Sequence, residues 1–541
     1  AYPRSALPIN LMVLVALLAG PRILYRSFME RGLAGFFQRT NSEHRVPVLL
    51  LGAGDEADLF IRSSLSGSAA NYRVVGLVDD DTAKIGRHIH GVRVYGPAHD
   101  LVTILQTLKR RGTQPQRLIL TSEGFSPERL REILDAAEGL AMPISRLPRM
   151  TDFHSGEAGE IEIRPVAIED LLGRPQTALD RKEMAALIHG RRVCVTGAGG
   201  SIGSELCRQI AGYGPAHMTL IDNSEYNLYA IDMKLAEKFP GISRDMVLGD
   251  VRDMGRLNST FAEARPQLVF HASAYKHVHM VETNPNEGVL TNVLGTRNVA
   301  DACVAHGVAV MVLISTDKAV NPSSVMGATK RIAESYCQAL GLSLAEGDQA
   351  HTRLVTVRFG NVLASSGSVV PLFQRQIAAA GPVTVTDPEV TRYFMTTREA
   401  VQLVLQASAL GARGAGGEIF VLDMGTPVRI ADLASQMIRL AGKMPGRDIE
   451  IEYTGLRPGE KLTEELFHEQ EPLTDTTVAG LHRAASRPAE LARLREQVNR
   501  LCASALARNS AQTLAEIGVI VPEFRGHRPE AASKTTRRAA R

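Results

Sequence analysis

The stretch Arg191–Leu206, RRVCVTGAGGSIGSEL, decides how the chain is built. Arg191 to Thr196 contains an apolar run of the kind that forms a parallel strand buried on both faces. Gly197 follows at once, Gly200 and Gly203 come at three-residue steps, and a helical pattern runs on from Ser204. Strand, glycine turn and helix in this order form the dinucleotide-binding turn. Gly197 permits the tight turn, Gly200 lets the backbone approach a pyrophosphate, and Gly203 lets helix and strand pack closely. Ser201 and Ile202 lie beside the helix N-terminus, whose free N–H groups attract phosphate.

Strands alternate with helices on the C-terminal side. Met218 to Ile221 is the next strand, and Asp222 ends it nineteen residues after Gly203. An acid there accepts both ribose hydroxyls and repels a 2′-phosphate, which favours NAD over NADP. Asn223, Ser224 and Glu225 supply no arginine for such a phosphate. Met246 to Leu248 forms a third strand, and Asp250 and Val251 follow it where an adenine ring is gripped. Leu268 to His271 and Val310 to Ser315 are the fourth and fifth strands, the fourth running into Ala272. Open α/β sheets carry their sites at the carboxyl ends of strands, so Thr316, Asp317 and Lys318 should face a nicotinamide. Met326 and Lys330, four residues apart, share a helix face.

A weaker copy of the same grammar precedes it. Val48 to Leu51 is a buried strand, Gly52-Ala-Gly54 opens a helix through Leu65, and Arg73 to Val78 ends in three aspartates. Arg117 to Leu120 and a helix over Pro127 to Glu138 continue the alternation without a group suited to chemistry. This domain is read as a unit for packing, assembly or effector binding. Glu162 to Asp180, with Pro165, Gly173 and Pro175, reads as an ordered linker.

The chain has 541 residues, 44% hydrophobic and 22% charged, which excludes a mostly disordered protein and calls for several domains. The expected division is 1–46, 47–150, 151–190, 191–485 and 486–541. The fold class expected is α/β, with two Rossmann-like doubly wound parallel sheets and the remnant of an N-terminal membrane helix. Ala6 to Pro21 is free of charge and is followed by Arg22, Arg26 and Arg31. That pattern predicts a membrane segment with everything downstream in the cytoplasm. The five cysteines show no CxxC spacing, so neither a zinc site nor a disulfide framework is expected. His277 and His279 lack carboxylates at ligand spacing, so no metal is expected.

Net charge is +3, but its distribution is uneven. Residues 1–46 carry six Arg against two Glu, and residues 525–541 carry six basic residues against one Glu, leaving 47–524 at −6. A body of that charge is no nucleic-acid surface. The basic ends lie where anionic lipid could meet them.

Several motifs in fixed order resemble one family. They are RPVAIEDLLGR, VTGAGGSIGSEL, HASAYKHV, STDKAVNP, MGATKR and RPGEKLTEEL. Residues 191–468 resemble an extended short-chain dehydrogenase/reductase acting on nucleotide sugars. Nearly the whole chain is similar to the large membrane-anchored nucleotide-sugar 4,6-dehydratases of the CapD/WbpM/PglF type. The resemblance implies a C-terminal substrate-binding part, a UDP-sugar substrate (UDP-GlcNAc) and a homo-oligomer. It implies hydride removal at C4 to NAD, loss of water across C5 and C6, and return of the hydride to C6. It further implies Asp317 as acid at the C6 hydroxyl and Lys318 as base at C5, its pKa lowered with help from Lys330. Thr316 would orient the 4-hydroxyl and Lys330 would hold the nicotinamide ribose. Lys276, Asn292, Arg358, Asn361, Arg392, Arg457 and Glu460 would meet the nucleotide or sugar. The wider superfamily uses a YxxxK pair, and Met326 stands at the Tyr position, so the group that deprotonates the 4-hydroxyl stays open. A nucleotide-sugar 4-epimerase and a non-catalytic nucleotide-binding scaffold are the alternatives.

Overall fold

The computed structural model describes residues 45–147, 164–165 and 181–524, apart from 67–70, 122–124, 126–128, 131, 134–135, 138–141, 347–351, 364, 366, 486 and 488. The expected membrane segment, most of the linker, part of the helix over 127–138 and the basic tail lie outside the described residues. No described helix is long and apolar enough to cross a membrane. Contacts divide the chain into two compact units, Ala1–Leu171 and Leu172–Arg541.

In the first unit, β1 (Val46–Leu51) leads into α1 (Asp55–Ser66) and β2 (Tyr72–Val78). The helix α2 (Leu101–Arg110) precedes β3 (Arg117–Leu120), β4 (Ile144–Arg146) and β5 (Arg164–Pro165). The sheet order is β2-β1-β3-β4-β5, parallel except at β5. Asp55, Glu56 and Asp58 occupy the first turn of α1, where a pyrophosphate would otherwise sit. Asp79 at the end of β2 accepts from Ala53 N and from Lys84 Nζ at 3.2 Å, so its carboxylate is already engaged.

The second unit starts with α3 (Arg181–Ile188). It continues through β6 (Arg192–Thr196), α4 (Ser201–Ala211), β7 (His217–Asp222), α5 (Glu225–Lys238), β8 (Arg244–Leu248) and α6 (Met254–Ala264). Then come β9 (Leu268–His271), α7 (Val278–Thr283), α8 (Gly295–Ala305), β10 (Val310–Thr316), α9 (Val325–Ala345) and β11 (Arg353–Phe359). The helix α10 (Thr397–Gly411), β12 (Glu418–Leu422), β13 (Leu473–Asp475), β14 (Leu481–Ala484), α11 (Leu491–Leu506) and α12 (Ser510–Ile520) lie further along the chain. The sheet order is β8-β7-β6-β9-β10-β11-β12-β14-β13, with only the last two joints antiparallel.

Alternation along the strands builds three layers. Val193, Val195, Phe270, Val312 and Val357 face one helical layer, while Cys194, Val269, Met311 and Leu313 face the other. Both faces are covered, which is why these strands read as unbroken apolar runs. All five cysteines are buried. Strand order reverses between β6 and β9, which opens a crevice at their carboxyl ends.

Candidate active site

The crevice is formed by backbone. Gly197 has φ +68°, and α4 begins at Ser201, three residues earlier than the sequence pattern suggests, with Gly200 as its N-cap. A Cβ on Gly203 would lie 1.9 Å from the Gly197 carbonyl oxygen, so no other residue lets α4 approach the turn this closely. Gly199 N donates to Asp222 Oδ2 at 2.9 Å and Ser224 N donates to Oδ1. These bonds fix the carboxylate at the end of β7. Asp250 is bound to the Arg252 guanidinium and Val251 is buried against Gly295. Ala272 follows β9 with its N–H on Thr196 O. His271 is buried between Thr196 Oγ1, at 2.7 Å, and Thr296 Oγ1, at 3.0 Å. Burial pushes its pKa down to about 3, so it is neutral and ties β9 to its neighbours. This cradle of close glycines, a helix N-terminus and one fixed acid fits a dinucleotide.

The strand β10 runs to Thr316 and delivers the reacting groups. Asp317 is 1% exposed, and its Oδ1 accepts from Thr316 Oγ1 at 2.8 Å and from Lys318 Nζ at 3.0 Å. Its Oδ2 is buried and has no hydrogen-bond partner among the described residues. Lys318 Nζ also donates to Asn361 Oδ1 at 2.9 Å. The sequence reading gave Lys318 a lowered pKa, and the geometry corrects this. Burial works against the ammonium, but Asp317 and Glu464 outweigh it and raise the pKa. The cation beside it is Arg392 rather than Lys330.

The helix α9 is held close to this loop. A Cβ on Gly327 would lie 2.2 Å from Lys318 O, Ser324 caps the helix through Gly327 N, and Glu282 accepts from Val325 N at 2.6 Å. Met326 is buried on the first turn, and Lys330 Nζ donates to Ile314 O at 2.6 Å. Burial pushes the Lys330 pKa down to about 8.

A cavity of about 250 Å³ opens beside Lys318. Lys276, Asn361, Arg392, Arg457, Glu460 and Glu464 line it, so most of the expected substrate residues converge there. Two expected contacts do not. Arg358 is 1% exposed and lies between Glu334, at 2.7 and 2.8 Å, and Glu471, at 2.7 Å. It is an internal ion pair of β11 with α9 and the segment after Leu466: all three guanidinium nitrogens donate to buried carboxylates, and the group does not line the cavity. Asn292 is fully buried and spends its amide on Tyr275 N, Tyr275 O and Thr329 Oγ1. It orders the loop bearing Lys276 rather than touching a ligand.

Sequence reasoning assigned no role to Glu464, although it lies in the quoted RPGEKLTEEL. Its carboxylate is 5% exposed and lies 3.8 Å from Lys318 Nζ and 3.8 Å from Arg392 Nε. Burial raises its pKa, as does Asp317, against the pull of Lys318, Arg392 and Lys461. The signal available was the motif itself, two adjacent carboxylates beyond a nucleotide-side Arg and Glu.

Fold and site together define an α/β enzyme of the extended short-chain dehydrogenase/reductase type. The chain belongs to the family described as "Polysaccharide biosynthesis protein", which matches residues 193–486. It is 41% identical over 465 residues to the capsular polysaccharide biosynthesis protein CapD of Staphylococcus aureus, covering 86% of this chain and 74% of that one. It is 32% identical over 280 residues to a UDP-N-acetylglucosamine 4,6-dehydratase (inverting) of Campylobacter jejuni, covering 51% of this chain and 78% of that one. The X-ray structure of Pen from Bacillus thuringiensis superposes with a TM-score of 0.50 at 32% identity, covering 56% of this chain and 89% of that one.

Proposed function

We propose that the protein is an NAD-dependent nucleotide-sugar 4,6-dehydratase acting on UDP-GlcNAc, in the service of surface polysaccharide or glycan synthesis. The observation that carries this reading is the buried, unpartnered Asp317 Oδ2 beside the Lys318 amine at a strand end. A buried carboxylate oxygen with no partner among the described residues is left to meet a substrate hydroxyl. An elimination across two adjacent carbons needs one proton donor and one proton acceptor, and these two side chains present one of each.

In this reading Gly197, Gly200, Ser201, Ile202, Gly203, Asp222, Asp250, Val251, Ala272 and Lys330 hold NAD. When bound, NAD would supply the redox chemistry, as hydride acceptor for C4 and hydride donor for C6. Thr316 holds the 4-hydroxyl through its Oγ1, which is hydrogen-bonded to Asp317. Asp317 protonates the departing C6 hydroxyl, and Lys318 removes the C5 proton. Met326 fills its site without exchanging a proton. Arg392, Arg457 and Lys276 offer cationic donors to the diphosphate, and Glu460 offers a carboxylate to the ribose. Homo-oligomerisation and attachment to a bacterial inner membrane through residues 6–25, with the catalytic unit in the cytoplasm, belong to the same proposal.

An epimerase has no use for an acid and a base at C6 and C5, and a scaffold has no use for a buried, unpaired carboxylate oxygen. Incubation with UDP-GlcNAc followed by mass spectrometry separates the readings. The expected product is lighter by one water. An unchanged mass with a new sugar would mean epimerisation, and unchanged substrate would mean neither.

A further inference from the structure

The dehydratase reading, on which this inference rests, has a proton count that the expected residues do not close. At rest Lys318 holds a proton and lies against Asp317. When elimination begins, C4 is a ketone, Asp317 must carry a proton, and Lys318 must have none. The 4-hydroxyl proton and the Lys318 proton have both moved, and Asp317 can take only one of them. A second acceptor is required. A Tyr at position 326 would serve, but Met326 has no exchangeable proton.

We propose that Glu464 is this acceptor, receiving the Lys318 proton and returning it once per turnover. Glu464 is the carboxylate that faces the Lys318 amine from across the cavity, 3.8 Å away, while Asp317 and Asn361 hold the amine on its other sides. Closing by about 1 Å brings the pair to hydrogen-bond length. Arg392 lies equally near Glu464 and holds it in place, donating its own Nη1 to Thr391 O and Leu462 O. Lys461 is the remaining cation near Glu464, and its Nζ donates to Val320 O in the loop after the dyad.

Every proton is then accounted for. Oxidation at C4 releases the O4 proton, which Thr316 relays to Asp317 over its 2.8 Å bond. The Lys318 proton passes to Glu464, and the freed amine takes the C5 proton as the C5–C6 double bond forms. The C6–O bond breaks with the Asp317 proton, and water leaves. As hydride returns to C6, Lys318 gives its proton to C5 and recovers one from Glu464. Asp317 and Glu464 end as carboxylates and Lys318 as an ammonium, the state in which they began. Glu464 acts on the sugar only through Lys318 and is a positioning residue in that sense.

The test uses the full chain with UDP-GlcNAc and compares Glu464→Gln with Glu464→Asp. Glu464→Gln should lower turnover at neutral pH by about 10²-fold, the lower end of what a positioned acid–base group contributes. The loss should shrink about tenfold per pH unit on the alkaline side, as solvent replaces Glu464 in taking the Lys318 proton. A substrate deuterated at C5 should slow Glu464→Gln severalfold more than the parent, because C5 deprotonation has become limiting. Glu464→Asp should recover most of the rate, and calorimetric binding of UDP should stay within a few-fold of the parent for both variants. The proposal is overturned by near-parental turnover of Glu464→Gln at neutral pH, by a loss that alkaline pH leaves unrelieved, or by an equal loss of UDP binding. Failure of the dehydratase reading looks different, since the parent protein itself would then yield no dehydrated sugar.

Discussion

Asp317→Asn is expected to lower turnover by roughly 10³-fold, within the range a general acid supplies, which is about 4 kcal/mol of barrier. An amide cannot deliver a carboxylic proton to the leaving C6 hydroxyl, yet it fills the same space beneath Gly360 and still accepts from Thr316 and Lys318. UDP binding and thermal stability should therefore be unchanged. Lys318→Ala should cost a comparable factor by removing the base, and Lys318→Arg should not restore it, because a guanidinium does not deprotonate. The two positions differ in a diagnostic way. With the 4-keto-6-deoxy product supplied directly, exchange of its C5 proton with deuterated solvent should persist in Asp317→Asn and vanish in Lys318→Ala. Retention of near-parental turnover in either variant would remove that residue from the mechanism.

Arg358→Ala should behave differently, as a loss of stability. Removing the guanidinium leaves Glu334 and Glu471, both about 1% exposed or less, without their main cation. Breaking a buried pair this way costs about 3–5 kcal/mol. Arg331 still reaches Glu471 at 2.9 Å and softens the penalty without replacing three hydrogen bonds. A fall of the melting temperature on the order of 5–10 °C follows. Had Arg358 held the substrate diphosphate, the same change would raise KM for UDP-GlcNAc and leave the melting temperature alone. Measuring both quantities on one preparation separates the two roles.

The contrast between Asp317 and Arg358 shows what could be read from sequence. The strands β6, β9 and β10 are continuous apolar runs that end in glycine or polar clusters, and their carboxyl ends are legible in the sequence. Asp317 and Lys318 follow such an end directly, so local order was enough to bring them together. Arg358 also stands near a strand end, but β11 continues to Phe359 and keeps the side chain within the sheet's own layer. Its partners lie 24 and 113 residues away, and a pairing at that separation leaves no local trace. Asn292 failed for a related reason. It lies on a π-helical turn, Val289–Leu294, that directs it at the Tyr275 backbone, and periodicity does not reveal such a turn. Glu464 was in view within a motif, but its nearness to Lys318 depends on how the segment after Gly459 folds back over the dyad. The pKa of Lys318 was misread because Lys330, expected to repel it, is turned onto Ile314 O, while Asp317 and Glu464 are the charges that face it.

The charge division changes in meaning as well. The site itself is cationic where the diphosphate would lie, with Lys276, Arg392, Arg457 and Lys461 around one cavity, inside a body whose sum is acidic. Such local concentration steers an anionic substrate without making the surface basic.

The most direct measurement follows a label. UDP-GlcNAc carrying deuterium at C4 is converted by the purified protein, and the product is located by mass and by NMR. A sugar lighter by one water with the deuterium moved from C4 to C6 is expected, since the same cofactor would remove the hydride and return it two carbons away. Deuterium found still at C4 in a sugar of unchanged mass, inverted or not, would contradict it.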